Sequence, residues 1–228
     1  MSMRYSLLAL LTLAACDPQV DSDHQGTPLA TISGSVRNAR TAQPDDAEVV
    51  VVWINTAGSP DLAVAESANV EGSFPAQFTL DMYEPPVDAV VNEFNGVRFA
   101  FAYIIAGVPG TDYTSDEAAE GGILGMEENH LLLYMPEAVP AGSDVSYLLH
   151  DAPAAGFHIY AVTRVTDEQR EARRTCIDGL ADPTFAEIYT LCGGEPRNDF
   201  TPLATDLSTS LDITLVDSFD QIDPPDVD

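Results

Sequence analysis

The sequence predicts an all-β protein, a single β-sandwich carrying one small disulfide-bonded helical insert. Three observations lead there. Short apolar segments with a two-residue alternation recur along most of the 228 residues, separated by Gly, Pro, Asn and Asp. No β-α-β rhythm runs through them, which sets a parallel sheet with crossover helices aside. Only between 166 and 193 does the period become helical, and that stretch holds two of the three cysteines, Cys176 and Cys192.

Before the first strand comes a segment of another kind. Residues 1–15 carry Arg4, an apolar run from Leu7 to Leu13, and two alanines ahead of Cys16. Charge, apolar run and small residues in that order form a secretory signal, and the run falls well short of the about 20 apolar residues that span a bilayer. Leu13-Ala14-Ala15-Cys16 resembles the lipobox of bacterial lipoproteins. The resemblance implies cleavage before Cys16, acylation of that cysteine with palmitate among the chains, and a membrane anchor in the cell envelope. The other reading is a plain signal peptide followed by a free thiol, an uncommon thing to keep outside the cytoplasm. Residues 16–28 show no periodicity and read as a flexible tether. Asp17 resembles the inner-membrane retention signal of enteric bacteria, but either membrane, and a periplasmic or surface-facing body, stay open.

The sandwich is expected over 29–216. Its first strand is Ala30–Val36, with Gly34 inside. Val49 to Ile54 is apolar on both faces, so it should be central and covered twice. Leu62–Val70 is expected to pair with it. Ser73–Met82 alternates strictly, with Phe74, Ala76, Phe78, Leu80 and Met82 on one side; Pro75 places it at an edge or marks its start. Val97, Phe99, Phe101, Tyr103 and Ile105 form a second inward row, with Arg98, Ala100 and Ala102 behind. A long polar loop is expected over 107–122. Strands then resume at His130–Met135, Val145–His150, Phe157–Val165 and Leu211–Val216, making about eight or nine in all.

Within the insert, Thr166 and Gln169 form a capping box, and Glu171 and Arg174 share a face. Asp182-Pro183 is expected to open a second helix, with Phe185, Ile188 and Leu191 as its apolar stripe and Gly193 as its stop. An exported chain meets an oxidising compartment, so Cys176 and Cys192 are expected to pair across the two helix ends. The bridge closes a loop of about 17 residues, worth about 3 kcal/mol by chain entropy. The insert is expected to cover a sheet face. Residues 217–228, with their run of aspartates, read as a solvated acidic tail.

Residues 32–106 show a pattern similar to the small β-sandwich lipoproteins related to the pilotins of type III secretion. The matching features are Gly34-Ser35-Val36, then Pro44 and Ala47 leading into Val49–Trp53, Ser59-Pro60-Asp61 with Val64-Ala65-Glu66, and Phe78 with Leu80. The same features suit any immunoglobulin-like or transthyretin-like sandwich. The resemblance implies a helper or assembly role for envelope proteins, without catalysis.

Charge narrows the partners. Nine basic residues face 37 acidic ones, for a formal net charge of −28, and every basic residue is an arginine. Such a field repels phosphate backbones and anionic headgroups, which makes nucleic acid a poor partner; an envelope protein as partner is what the resemblance implies. The acid excess would also suit a saline habitat.

No catalytic motif is legible: there is no Gly-x-Ser-x-Gly elbow, and both candidate nucleophilic cysteines are spent in the bridge. No cofactor or metal is expected. His130, His150 and His158 lack the short spacing of zinc motifs, and the aspartates of the tail lack the ordered loop of a calcium site. The cluster that stands out is cationic. Arg164, Arg170, Arg173 and Arg174 lie within eleven positions, and His158, Tyr160 and Arg164 share a strand face. Guanidinium forks there would suit a carboxylate or an acidic segment; the plainer reading is that they neutralise the chain's own acids. The function expected is a noncatalytic binding or assembly module. A ligand- or calcium-dependent adhesion module and a hydrolase with an unrecognised site stand as alternatives.

Overall fold

The computed structural model describes residues 26–55, 61–71, 73–115, 121–195 and 200–222. The signal segment, Cys16, His24, nearly all of the tether and the last residues of the acidic tail lie outside the described residues.

The protein is mostly β-sheet. In chain order come β1 (Ala30–Asn38), β2 (Asp46–Asn55), β3 (Asp61–Glu71), β4 (Ala76–Met82), β5 (Asn92–Phe94), β6 (Val97–Gly107), β7 (Ile123–Met126) and β8 (His130–Met135). Then follow α1 (Asp144–Leu149), β9 (Gly156–Arg164), α2 (Asp167–Asp178), α3 (Phe185–Cys192), β10 (Phe200–Thr205) and β11 (Leu211–Leu215). A small sheet has the order β11-β1-β4, and a larger one the order β10-β9-β8-β6-β2-β3, with β5 and β7 added on β6. All pairings are antiparallel except β1 with β11.

The two sheets share one core. Ile32, Leu80, Met82, Leu211 and Ile213 from the small sheet meet Val49, Val51, Trp53, Ile104 and Leu132 from the large one. Each such aliphatic side chain contributes about 1.5–3 kcal/mol by leaving water. The large sheet is covered on its other face too, which is why β2 is apolar throughout. Val50 and Val52 lie under Tyr113, Met126 and Ile222, while Phe101, Leu133 and Tyr160 lie under Val145 and Leu149. The expected pairing of β2 with the next strand is present from Asp46↔Glu71 to Asn55↔Asp61, with one slip of register between Val50 and Val52. Pro75 precedes β4, an edge strand of the small sheet, as its missing donor requires.

Several expectations are corrected. The strand predicted at Val145–His150 is α1. Ser143 caps it through the Ser146 amide, and Val145 and Leu149, four apart, point the same way, so a helical stripe was read as alternation. In β6 the alanine row does not lie behind. Ala100, Ala102 and Ala106 are fully buried in the core between the sheets, while Val97, Phe101 and Ile105 fill the opposite side. Small residues on the inner face leave room for the second sheet. β5, β7 and β10 were not foreseen; two of them are only three and four residues long, and β10 contains Pro202, tolerated because β10 is an edge strand. The acidic tail starts folded, with a 3-10 turn at Phe219–Gln221 and Ile222 buried.

The insert forms with the predicted capping box at Thr166 and Gln169 and the Cys176–Cys192 disulfide. Its second helix is not opened by Asp182-Pro183: Thr184 is the cap, reciprocated by Glu187, and Gly193 ends the helix in the left-handed region. The threonine hydroxyl is two positions nearer the helix than the aspartate and reaches the amide of Glu187. The pair does not cover a sheet face. That place is taken by α1, and α3 packs beside α1 with Phe185 edge-on to Phe94 (5.6 Å) and stacked on Tyr189 (4.8 Å).

Candidate functional site

The cationic cluster foreseen in the sequence is spread over β9 and α2, each side chain with its own task. His158 is half-buried and its Nε2 lies 2.8 Å from the carbonyl of Ala154. Two residues on, Tyr160 faces the same side but is buried in the cluster that holds Val145 and Leu149 of α1, with its hydroxyl unpaired. Burial raises its pKa, and the neighbouring Asp151 carboxylate pushes it further up. Arg164 emerges into solvent at the end of β9. On α2, Arg170 pairs with Asp167 (3.3 Å) and Arg174 with Glu171 (3.5 Å). Arg173 lies over Gly194 and donates to the carbonyl of Glu195, just past the end of α3, where the helix dipole favours a cation. These contacts make the arginines internal counterions for the insert.

The histidines are likewise dispersed. His130 Nδ1 is 3.0 Å from Glu127, His150 ends α1 beside Tyr189, and His158 is on the carbonyl of Ala154. Among the described residues no three His, Cys, Asp or Glu side chains are placed to hold a metal ion.

Two features escaped the sequence reading. The first is Glu127, which is only 1 % exposed. Its Oε1 accepts from the amide of Asn129 and faces His130, and its Oε2 accepts from the amide of Asp212. Asp212 in turn bonds Ser35 and Arg37 through its own carboxylate. Both oxygens of the buried carboxylate thus have partners, and together they hold β11 to the turn between β7 and β8, so the arrangement is structural. The Glu127/His130 spacing of three was the available signal.

The second is an open groove of about 400 Å³ between β3 and the chain that follows β4. At its floor lies Trp53, only 2 % exposed, with Ala63 and Ala102 as cross-strand neighbours. One wall is β3 from Ala63 to Glu66, where the register with β2 slips between Val50↔Ser67 and Val52↔Val64. Ala65 and Glu66 are the bulged pair, and such bulges re-aim side chains at sheet edges. The other wall is Met82 to Val87, stiffened by Pro85 and Pro86. It is tied to β2 by Asn55 donating to the carbonyl of Ala89 (2.7 Å) and Asn92 donating to that of Ile54 (2.9 Å). Val87, 57 % exposed, belongs to this wall, while Val64, 41 % exposed, pairs with Val52 and so carries its side chain on the sheet face away from Trp53. The sole tryptophan in a strand apolar on both faces, with Glu84-Pro85-Pro86-Val87 downstream, was the sequence signal for this groove.

Comparison with protein families, with curated proteins and with solved structures finds no match to this chain. Among the described residues no helix is long and apolar enough to cross a membrane.

Proposed function

We propose that the protein is a bacterial lipoprotein, acylated at Cys16 and tethered to a membrane of the cell envelope, and that it acts as a noncatalytic binding or assembly module for an envelope protein. The observation that carries the reading is the short apolar run behind Arg4 ending in Leu13-Ala14-Ala15-Cys16. A thioether-linked lipid gives an anchor without a spanning helix, and residues 16–28 give it slack. The pilotin-like pattern over 32–106 supports an assembly role. The net charge of −28 supports a protein partner over nucleic acid. We read the two sheets with their common core as a sandwich of immunoglobulin-like or transthyretin-like type, a scaffold that presents loops and edges to partners.

The anchor is tested by the mass of the N-terminal peptide of protein extracted from envelopes. The expected species begins at Cys16 and carries acyl chains, and Cys16→Ser moves the protein to the soluble fraction. An unmodified mature terminus would sink the lipoprotein reading. The binding role is tested by crosslinking C-terminally tagged protein in native envelopes: a stoichiometric envelope protein is expected, and its absence removes the assembly role.

A further inference from the structure

We propose that the Cys176–Cys192 disulfide is a redox-operated latch. Thiol–disulfide exchange with a dithiol reductant opens it and releases the insert from α1 and Phe94. The latch stands apart from the binding role and does not rest on it.

The bridge holds an appendage and not a core. α2 packs on α3, and α3 in turn on α1. Neither α2 nor α3 contains a fully buried residue. Helices of 12 and 8 residues are marginal by themselves in water, so the pair depends on being tied. Its aromatic anchorage on the body is Phe185 against Phe94 and Tyr189 against His150. The strand pairings of both sheets run outside the bridged segment, so breaking the bridge leaves their register in place.

The sulfurs can be reached. Cys176 and Cys192 are half-buried, and Thr175, Leu191 and Gly193 beside them are exposed. Accessible bridges are the ones that exchange readily. The cationic cluster has a task here. The net charge of −28 opposes the approach of a thiolate to the chain as a whole. Arg173 lies one turn before Cys176 on α2, and its guanidinium lies over Gly193 and Gly194, next to Cys192. A cation there draws the attacking thiolate in and favours the thiolate that leaves. One thiolate of the reductant bonds to Sγ of Cys192 as the S–S bond breaks, and Sγ of Cys176 departs with the electron pair. The second thiol of the reductant then closes the reductant's own disulfide and releases Cys192. Two electrons and two protons have passed from the dithiol to the cysteines, and exchange with an oxidised dithiol closes the latch again.

Trypsin reports the opening, because every basic residue is an arginine and five of the eight after Arg4 lie between 164 and 197. Cleavage within α2 requires the helix to open. Full-length protein extracted from envelopes is digested with and without dithiothreitol, and thiol release at Cys176 and Cys192 is followed by alkylation. Reduced protein is expected to be cut after Arg170, Arg173 and Arg174 about a hundredfold faster than oxidised protein. Arg37 in β1 and Arg98 in β6 stay uncut, and reoxidation restores resistance. Cys176→Ser with Cys192→Ser is expected to be cut as fast as reduced protein with no reductant present. Arg173→Gln is expected to slow thiol release about threefold, the opposite of what mere loosening of the insert would do. Equal cleavage in both redox states, thiol release only in denaturant, simultaneous cutting at Arg37 and Arg98, or thiol release in Arg173→Gln as fast as in wild type overturns the latch.

Discussion

The carboxylate of Glu127 and the backbone amide of Asp212, 85 positions apart, are joined by a hydrogen bond of 2.9 Å. With it a residue from the β7–β8 turn fastens β11, and because β11 pairs in parallel with β1, the same bond braces the middle of the small sheet. The other oxygen of Glu127 organises its own turn through Asn129 and His130. A buried carboxylate is tolerable here because donors surround it.

Replacing that carboxylate should therefore be felt as a loss of several bonds at once. Glu127→Ala removes the acceptor of the part-buried amide bonds from Asn129 and Asp212, and each bond lost to a charged group costs about 1.5–3 kcal/mol. The expected total is about 3–5 kcal/mol, read from urea unfolding, with Glu127→Gln losing roughly half as much because its carbonyl oxygen still accepts one bond. A loss below about 1 kcal/mol for the alanine variant would mean that water replaces the carboxylate and that β11 is held by its ladder alone.

Gly34 shows what the parallel pairing demands of β1. A Cβ at this position would lie 2.3 Å from the carbonyl oxygen of Leu211 and 2.6 Å from the ring of Phe78. Backbone cannot give by that much without parting the strands. Gly34→Ala is expected to destabilise by about 2–3 kcal/mol, within the usual range for overpacking and near its upper end. Thermal unfolding decides it; an unchanged Tm would show that β11 can move away from β1 freely.

The insert should melt by itself. Neither α2 nor α3 contains a fully buried residue, and Leu191 of the expected apolar stripe is 62 % exposed. What holds it includes the Cys176–Cys192 bridge, the Phe94–Phe185–Tyr189 aromatic contacts and the packing of α3 beside α1, with Tyr189 against His150. Reduction, or Cys176→Ser with Cys192→Ser, is expected to abolish hydrogen-exchange protection across 167–192 while β2, β6 and β8 keep theirs. Loss of protection in all of these together would show that the insert and the sheets are one cooperative unit.

These cases show how the sequence speaks and where it falls silent. Val49 to Ile54 announced a doubly covered strand because both faces are apolar, and β2 is that strand. Thr166 with Gln169, and Gly193, announced helix ends by side-chain chemistry acting over three or four residues. The failures have different roots. Once a sheet is buried on both sides, alternation no longer separates inside from outside, so Ala100 and Ala102 were set on the wrong side of β6. In Val145–His150 six residues are too few to tell a period of two from one of 3.6. The groove was hidden for another reason: its walls lie about twenty residues apart in the chain and meet only through sheet register.

Tyr113 provides an alkaline test of the loop that covers β2. Its hydroxyl is buried and unpaired, and burial, with Glu48 acting in the same sense, pushes its pKa up to about 12. Below pH 10 the phenol is neutral in both folded and unfolded chains and nothing is lost. Between about pH 10 and 12 the unfolded chain releases the proton while the folded one keeps it, so stability falls as pH rises through that window. Tyr113→Phe, which leaves the ring and removes the ionisable group, is expected to flatten this part of the stability profile, measured by urea midpoints from pH 9 to 12. If wild type and variant fall in parallel, the hydroxyl is already exposed in the folded protein.

Asp217 contributes to the acid side of the profile, as do Asp112 and Glu187, whose carboxyl pKa values are also lowered by neighbouring threonines. The hydroxyl and then the amide of Thr41 hold the Asp217 carboxyl below the usual range, and Arg40 adds to the effect. The folded state thus favours the ionised form, so its contribution is complete above about pH 4 and is lost as pH falls through the depressed value. The turn that brings Ile222 onto Val50 and Val52 starts at this residue, with Gln221 accepting from its amide. Acidification below pH 4 is expected to free the 216–222 segment before the sheets unfold. Asp217→Asn should free it already at neutral pH, since an amide keeps part of the hydrogen bonding but none of the charge opposite Arg40. Amide exchange at Val216 and Ile222, both bonded to backbone carbonyls in the folded chain, reports it directly. Unchanged exchange at both amides in the variant would assign the closure to Ile222 packing alone.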